Sequence, residues 1–141
     1  MVDREILTRK LLVLREALSD LESAAVTSAS QLAENRMLRA AVERWIQVAV
    51  EACIDIAFHV VADAGWTPVD TGRSAFLSLA SHGILELELA QRLGKAASMR
   101  NLLVHEYAAI ELDQLARVAG KDVADLAQFG QIASGWLPSD L

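Results

Sequence analysis

The chain has 141 residues, enough for one domain with a sizeable core, and 53% of them are hydrophobic. Seven glycines and two prolines among many alanines and leucines favour helix over sheet. A formal net charge of −6 excludes a broad cationic coat for nucleic acid, while leaving room for one local phosphate site.

From Asp3 to about Ala24, residues Ile6, Leu7, Leu11, Leu14, Leu18 and Leu21 recur at three and four, which predicts one amphipathic helix. The opening MVDREILTRK is charged from its third residue and does not read as a signal peptide. VTSAS, residues 26–30, reads as a connection that supplies an N-cap. A second, longer helix is expected from about Gln31 to Ala64. Its apolar face is so wide that it belongs at the centre of a bundle or at a subunit interface. Gln47, Glu51, Asp55 and His59 interrupt the apolar run, whereas a membrane span needs roughly 20 nearly uninterrupted apolar residues, so no span is expected. With Arg39 and Glu43 these residues recur every fourth position and form one narrow polar stripe. The stripe reads as a thin solvent-facing ridge or, alternatively, as the lining of a polar groove. Cys53, the single cysteine, lies in the same run and reads as a small buried hydrophobe in an intracellular, cytoplasmic protein.

GWTPVDTG, residues 65–72, is the clearest break, and Asp70 or Thr71 is placed to cap a short helix from about Gly72 to Ser81 that stops near Gly83. Another helix is expected from about Leu85 through residue 107, with Gly94 as its candidate bend. A last one runs from Glu111 or Asp113 to about Ala133, with Gly120 as its weak point. No repeat, linker or strand-like alternation appears. The expectation is a single all-α domain over residues 1–141, an antiparallel bundle of about five helices.

Several chemistries lack their residues. There is no GK[ST] phosphate loop, no cysteine pair, no His-Glu-x-x-His and no nucleophile elbow. The residues three before His59, His82 and His105 are Ile56, Leu79 and Leu102, so the Glu-x-x-His pairs of di-metal bundles are missing as well. No metal and no cofactor are expected. His82, beside Gly83, reads as a helix-end residue favoured by the dipole, and His59 as a partly buried histidine with a local partner.

MRNLLVHEY, residues 99–107, is the exception to this bland inventory. With Arg100 at zero on a helical wheel, Asn101 falls at about 100°, His105 at about 140° and Tyr107 at about 340°. The four share one arc, and Met99, Leu102 and Leu103 lie opposite, toward the bundle. Glu106 alone departs from this division. Arginine offers a fixed donor fork suited to phosphate, and histidine exchanges a proton near neutral pH. Such a pair without a metal suits cleavage of RNA through its own 2′-hydroxyl, with Asn101 orienting either group. The competing reading is that Arg100, Asn101 and His105 only satisfy the last carbonyls of a helix. The separation of Arg100 from His105, about 140°, also hints that two copies complete one cleft across a two-fold axis.

RNLLVHEY resembles the R-N-x-x-V-H-x-Y signature of the HepT-like toxins, helical ribonucleases of the HEPN (higher eukaryotes and prokaryotes nucleotide-binding) superfamily. The opening DREILTRKLLVLREAL, the run RAAVERWIQVAVEACIDIAFHVVADAG and the step from SHGIL into ELAQRLGKAASMRNLLVHEYAAI look like the same family, so the resemblance spans nearly the whole chain. It implies a metal-independent RNase site at Arg100, Asn101 and His105 and a two-fold homodimer. The implied substrate is a tRNA or an mRNA. It also implies that Tyr107 receives AMP from an MntA-like nucleotidyltransferase antitoxin, which would bring phosphate next to Arg100 and stop cleavage. The alternative is a non-catalytic HEPN module that binds a nucleotide or a nucleotidyltransferase partner. Two departures stand out: TPVDTGRS lacks the expected aromatic residue, and Gly120 interrupts the last helix. Both are expected to leave the site untouched.

Overall fold

Asp3 opens the first helix because its carboxylate accepts the Ile6 backbone N–H at 3.1 Å, satisfying a donor that the first turn leaves over. The computed structural model describes residues 3–105 and 111–137, and the side chains of residues 3–100 and 111–137. Helix α1 (Arg4–Ala24) buries Leu7, Leu14, Ala17 and Leu21. It ends where Ala25 turns left-handed, at φ 48°, and returns its N–H to the Glu22 carbonyl. The VTSAS connection then leads into a short helix α2 (Ala29–Glu34). There the Gln31 side chain accepts the backbone N–H groups of Thr27 and Ser28 at 2.6 and 2.9 Å.

The helix expected to run unbroken from Gln31 to Ala64 is in fact two. Asn35 is extended (φ −135°, ψ 97°), and its side chain accepts the Leu38 N–H at 3.0 Å. It thereby closes α2 and caps α3 (Arg36–Asp63). A local side-chain bond competes with the helical ladder at this residue type, although the apolar rhythm continues through it. Helix α3 reaches a mean hydropathy of 1.6 over its most apolar window, half of which is buried. Its length and composition alone would let it cross a membrane. The bundle accounts for that apolarity instead, because α1 and three later helices pack against α3 and bury Val42, Ile46, Ala49, Val50, Cys53 and Ile56, among others.

Two polar contacts show the direction of α1 on α3. The Asp3 N–H donates to Asp63 Oδ2 at 3.0 Å, and Lys10 Nζ pairs with Asp55 Oδ2 at 2.9 Å. Early residues of one helix thus meet late residues of the other, and the two run antiparallel. The next helix, α4 (Gly72–Ser81), is capped by Thr71, whose hydroxyl accepts the Ser74 N–H at 3.0 Å. His82 ends it. Its Nδ1 lies 2.9 Å from the Ser78 carbonyl and its ring stacks on Trp66 at 3.7 Å, so the helix-end reading holds. Helix α5 (Leu87–His105) runs past Gly94 without interruption. The glycine marks a close approach instead: a Cβ at Gly94 would lie 3.0 Å from Arg73 Cγ. Gly72 is equally confined, since its Cβ would lie 2.9 Å from Ile54 Cδ1 and 3.2 Å from Ala97 Cβ.

After residue 111 the chain forms α6 (Leu112–Arg117), a π-helical turn (Val118–Asp122) and α7 (Val123–Ser134). Phe129 on α7 meets Phe76 and Trp136 edge-on at 5.5 and 5.8 Å, which locks α7 to α4. The expected five-helix bundle is therefore present with two of its helices subdivided, at Asn35 and at the π turn. Gly120, read as a weak point, sits inside that turn. A Cβ there would lie 2.8 Å from the Val26 carbonyl oxygen, so the turn rests directly on the α1–α2 connection. Gly120→Ala forces backbone apart from backbone and should lower unfolding stability by about 1–3 kcal/mol. Urea denaturation of the variant beside the parent checks this.

Candidate active site

Arg100 stands on the polar side of α5, next to Met99, which is buried as the helical wheel requires. Its guanidinium reaches across to α3, with Nη2 3.5 Å from Glu51 Oε2. Glu51 belongs to the every-fourth stripe, and so does Asp55, the partner of Lys10 from α1. Arg39 pairs with Glu43 within the same row at 3.0 Å. All six stripe residues are half-buried. The stripe is therefore neither fully solvent-facing nor enclosed. At two of its positions, Glu51 and Asp55, it meets cations from neighbouring helices. His59 is half-buried, as expected.

The Arg100–Glu51 pair is only partly screened from water, with side chains 27% and 46% exposed. Such pairs contribute little to stability, on the order of 0–1 kcal/mol. What this one does is limit where the guanidinium points.

Beside Arg100 lies a pocket of about 430 Å³. Ile54 and Phe58 come from α3, Ala97, Ser98 and Arg100 from α5, and Asp70, Thr71, Gly72 and Arg73 from the loop and first turn of α4. Its polar wall carries two guanidinium groups against one carboxylate. Ser98 is held to its own helix through a bond to the Gly94 carbonyl at 3.2 Å. Four residues of the TPVDTGRS stretch, Asp70, Thr71, Gly72 and Arg73, thus line the same pocket as Arg100.

The backbone of α5 is helical through His105. On that helix Asn101 and His105 follow Arg100 by about 100° and 140°, within the arc that Ala97 and Ser98 bracket. The side chains of Asn101 and His105, and all of Tyr107, lie outside the described residues.

Residues 14–132 match the family model described as Ribonuclease HepT-like. The chain belongs to the HepT-like ribonuclease family. Solved structures share its fold. A chain in the structure of a tri-AMPylated HEPN toxin of Shewanella oneidensis in complex with MNT antitoxin is 25% identical, with a TM-score of 0.86 over 94% of this chain and 99% of that one. A chain from a mutant of the toxin–antitoxin MntA-HpeT is also 25% identical, with a TM-score of 0.84 over 92% and 98% of the two chains. YutE, a cytosolic protein of unknown function from Bacillus subtilis, is 16% identical, with a TM-score of 0.84 over 99% and 96%, and shows the fold alone. No curated protein matches the chain. The HepT-like assignment agrees with the resemblance read from the sequence, and the HEPN bundle it implies is the one observed.

Sequence reading singled out Arg100 but gave no role to Arg73 or the pocket, and it left Glu51 as one member of a stripe. The signal for Glu51 was its spacing on an otherwise apolar helix. The signal for Arg73 was two isolated glycines, at 72 and 94, inside helical segments. Because the Arg100–Glu51 pair orients more than it stabilises, Glu51→Gln should change unfolding stability by less than about 1 kcal/mol. A loss of more than about 3 kcal/mol in a denaturant titration would instead make the pair a structural strut.

Proposed function

We propose that this HepT-like chain is the metal-independent endoribonuclease toxin of a toxin–antitoxin pair, acting in the cytoplasm as one domain over residues 1–141. The observation that carries the reading is Arg100, paired with Glu51 and lining a pocket, in a chain that belongs to this family. His105 takes the proton from an RNA 2′-hydroxyl. The 2′-oxygen attacks the adjacent phosphorus, the bond to O5′ breaks, and a protonated histidine or water returns a proton to the leaving 5′-oxygen. Arg100 stabilises the extra negative charge on the crowded phosphorus, and Asn101 orients the reacting groups. The products are a 2′,3′-cyclic phosphate and a 5′-hydroxyl. DNA lacks the attacking group and is not cut. Substrates are tRNA or mRNA, reached through a narrow site that suits a chain of net charge −6.

Arg100 and His105 diverge by about 140° on one straight helix, which favours a two-fold homodimer whose copies each supply groups to a shared cleft. The partner is an MntA-like nucleotidyltransferase antitoxin, supported by the antitoxin complexes among the similar structures. It transfers AMP to Tyr107: the phenolic oxygen attacks the α-phosphate of ATP and pyrophosphate leaves. The added phosphate lies near Arg100 on the helical wheel and competes with RNA phosphate. The tri-AMPylated state of the Shewanella toxin supports this form of control.

Purified toxin in excess EDTA should cleave single-stranded RNA and leave cyclic-phosphate ends, while Arg100→Ala and His105→Ala each lose at least about a hundredfold in rate. Mixing the two inactive variants should recover part of the activity if the cleft is shared. Cleavage that survives in both variants would remove the assignment. Co-expression with the nucleotidyltransferase should add AMP mass to the intact chain. The same mass gain in Tyr107→Phe would rule out Tyr107 as the acceptor.

A further inference from the structure

Arg73 is an exposed arginine whose stem rests on another helix. Its Cγ would be 3.0 Å and its Nε 3.7 Å from a Cβ at Gly94, so the arginine lies close against α5 over that glycine. Gly72, one residue earlier, allows the start of α4 to sink between Ile54 of α3 and Ala97 of α5. Two close approaches in succession thus bring Arg73 to the pocket that Arg100 also lines. Most of an arginine's conformational cost is already met when its stem is fixed in this way. The same pocket is lined by the apolar Ile54 and Phe58, both half-buried and packed against the core. Its volume of about 430 Å³ falls in the small-ligand range of about 300–1,000 Å³. Cations for phosphate beside an aromatic surface for a base are what single-stranded nucleic acid sites combine. Asp70, the one carboxylate on the lining, is an acceptor for an exocyclic amine of a base.

We propose that this pocket is the subsite for one nucleotide flanking the cleaved bond, with its phosphate on Arg73 beside Arg100 and its base against Ile54 and Phe58. The assignment rests on the RNase reading for the identity of the ligand as RNA. Arg73 binds substrate and takes no part in bond making. Its loss therefore weakens RNA binding and spares the chemical step.

The test compares Arg73→Ala with Lys95→Ala, which removes a charge from the groove between α5 and the C-terminal helices. On a single-stranded RNA of about 20 nucleotides, Arg73→Ala should raise KM about tenfold with kcat within twofold, as expected for one lost charge-assisted phosphate contact. Its dependence of log affinity on log salt should be shallower by about 0.7. Arg73→Lys should recover part of the affinity, and Lys95→Ala should match the parent. Equal KM values for parent and Arg73→Ala, or a fall in kcat with KM unchanged, would overturn the subsite. If the parent cleaves no RNA, the RNase reading fails by itself. Binding of a non-cleavable 2′-O-methyl oligonucleotide then decides: weaker binding by Arg73→Ala supports the subsite, and unchanged binding overturns it.

Discussion

A helix that is apolar nearly all round has to be enclosed, and α3 sets that demand on everything else in the chain. Helices α1, α4, α5 and α7 supply the enclosure. Apart from the exposed Arg36 and Arg44, the polar residues that α3 carries follow one row, and two charged partners from surrounding helices meet it there. Lys10 arrives from α1 at Asp55, and Arg100 arrives from α5 at Glu51, one turn away. The electrostatics of the site follow from how the core helix is buried. The row gives Arg100 its carboxylate on α3, while Arg92, also on α5, turns instead to Asp125.

The shape of the pocket comes from a different constraint, the absence of side chains at two positions. Gly72 and Gly94 allow α4 to approach α3 and α5 so closely that a Cβ at either would press on a neighbouring side chain. A helix interior loses roughly 1 kcal/mol when it carries glycine in place of alanine. That cost at Gly94 is accepted where Arg73 crosses the helix. Packing that is tight on the α4 side leaves the opening between Phe58 and Arg100 unfilled. The same economy recurs at the far end of the bundle, where Gly120 lets the π turn settle on the Val26 carbonyl.

Much of the fold was legible because local signals agreed with one another. Asp3 and Thr71 are good caps at the start of clear helical periods, and both cap in the structure. The break at Asn35 escaped notice because the apolar period runs through it, although asparagine is itself a cap residue and acts as one. Gly94 was read as a bend because a lone glycine gives no sign of whether it serves flexibility or contact. For the site, the spacing in RNLLVHEY put Arg100 on a polar face, but spacing within one helix is silent about Glu51, 49 positions earlier, which is its partner. Arg73 was beyond reach for the same reason. Its place beside the pocket depends on how α4 docks on α5, a long-range outcome of which the glycines at 72 and 94 are the only local trace.

Cys53 is the sole thiol of the chain, it is shut inside the core, and burial pushes its ionisation well above the usual thiol range. A thiol that stays protonated and covered does not react with electrophiles while the bundle is folded. A cysteine placed at any exposed position would then be the one reactive sulfur in the native molecule. Fluorescent or spin labels for following RNA, antitoxin or a second copy can thus be attached at chosen surface points, with the core left as nature packed it.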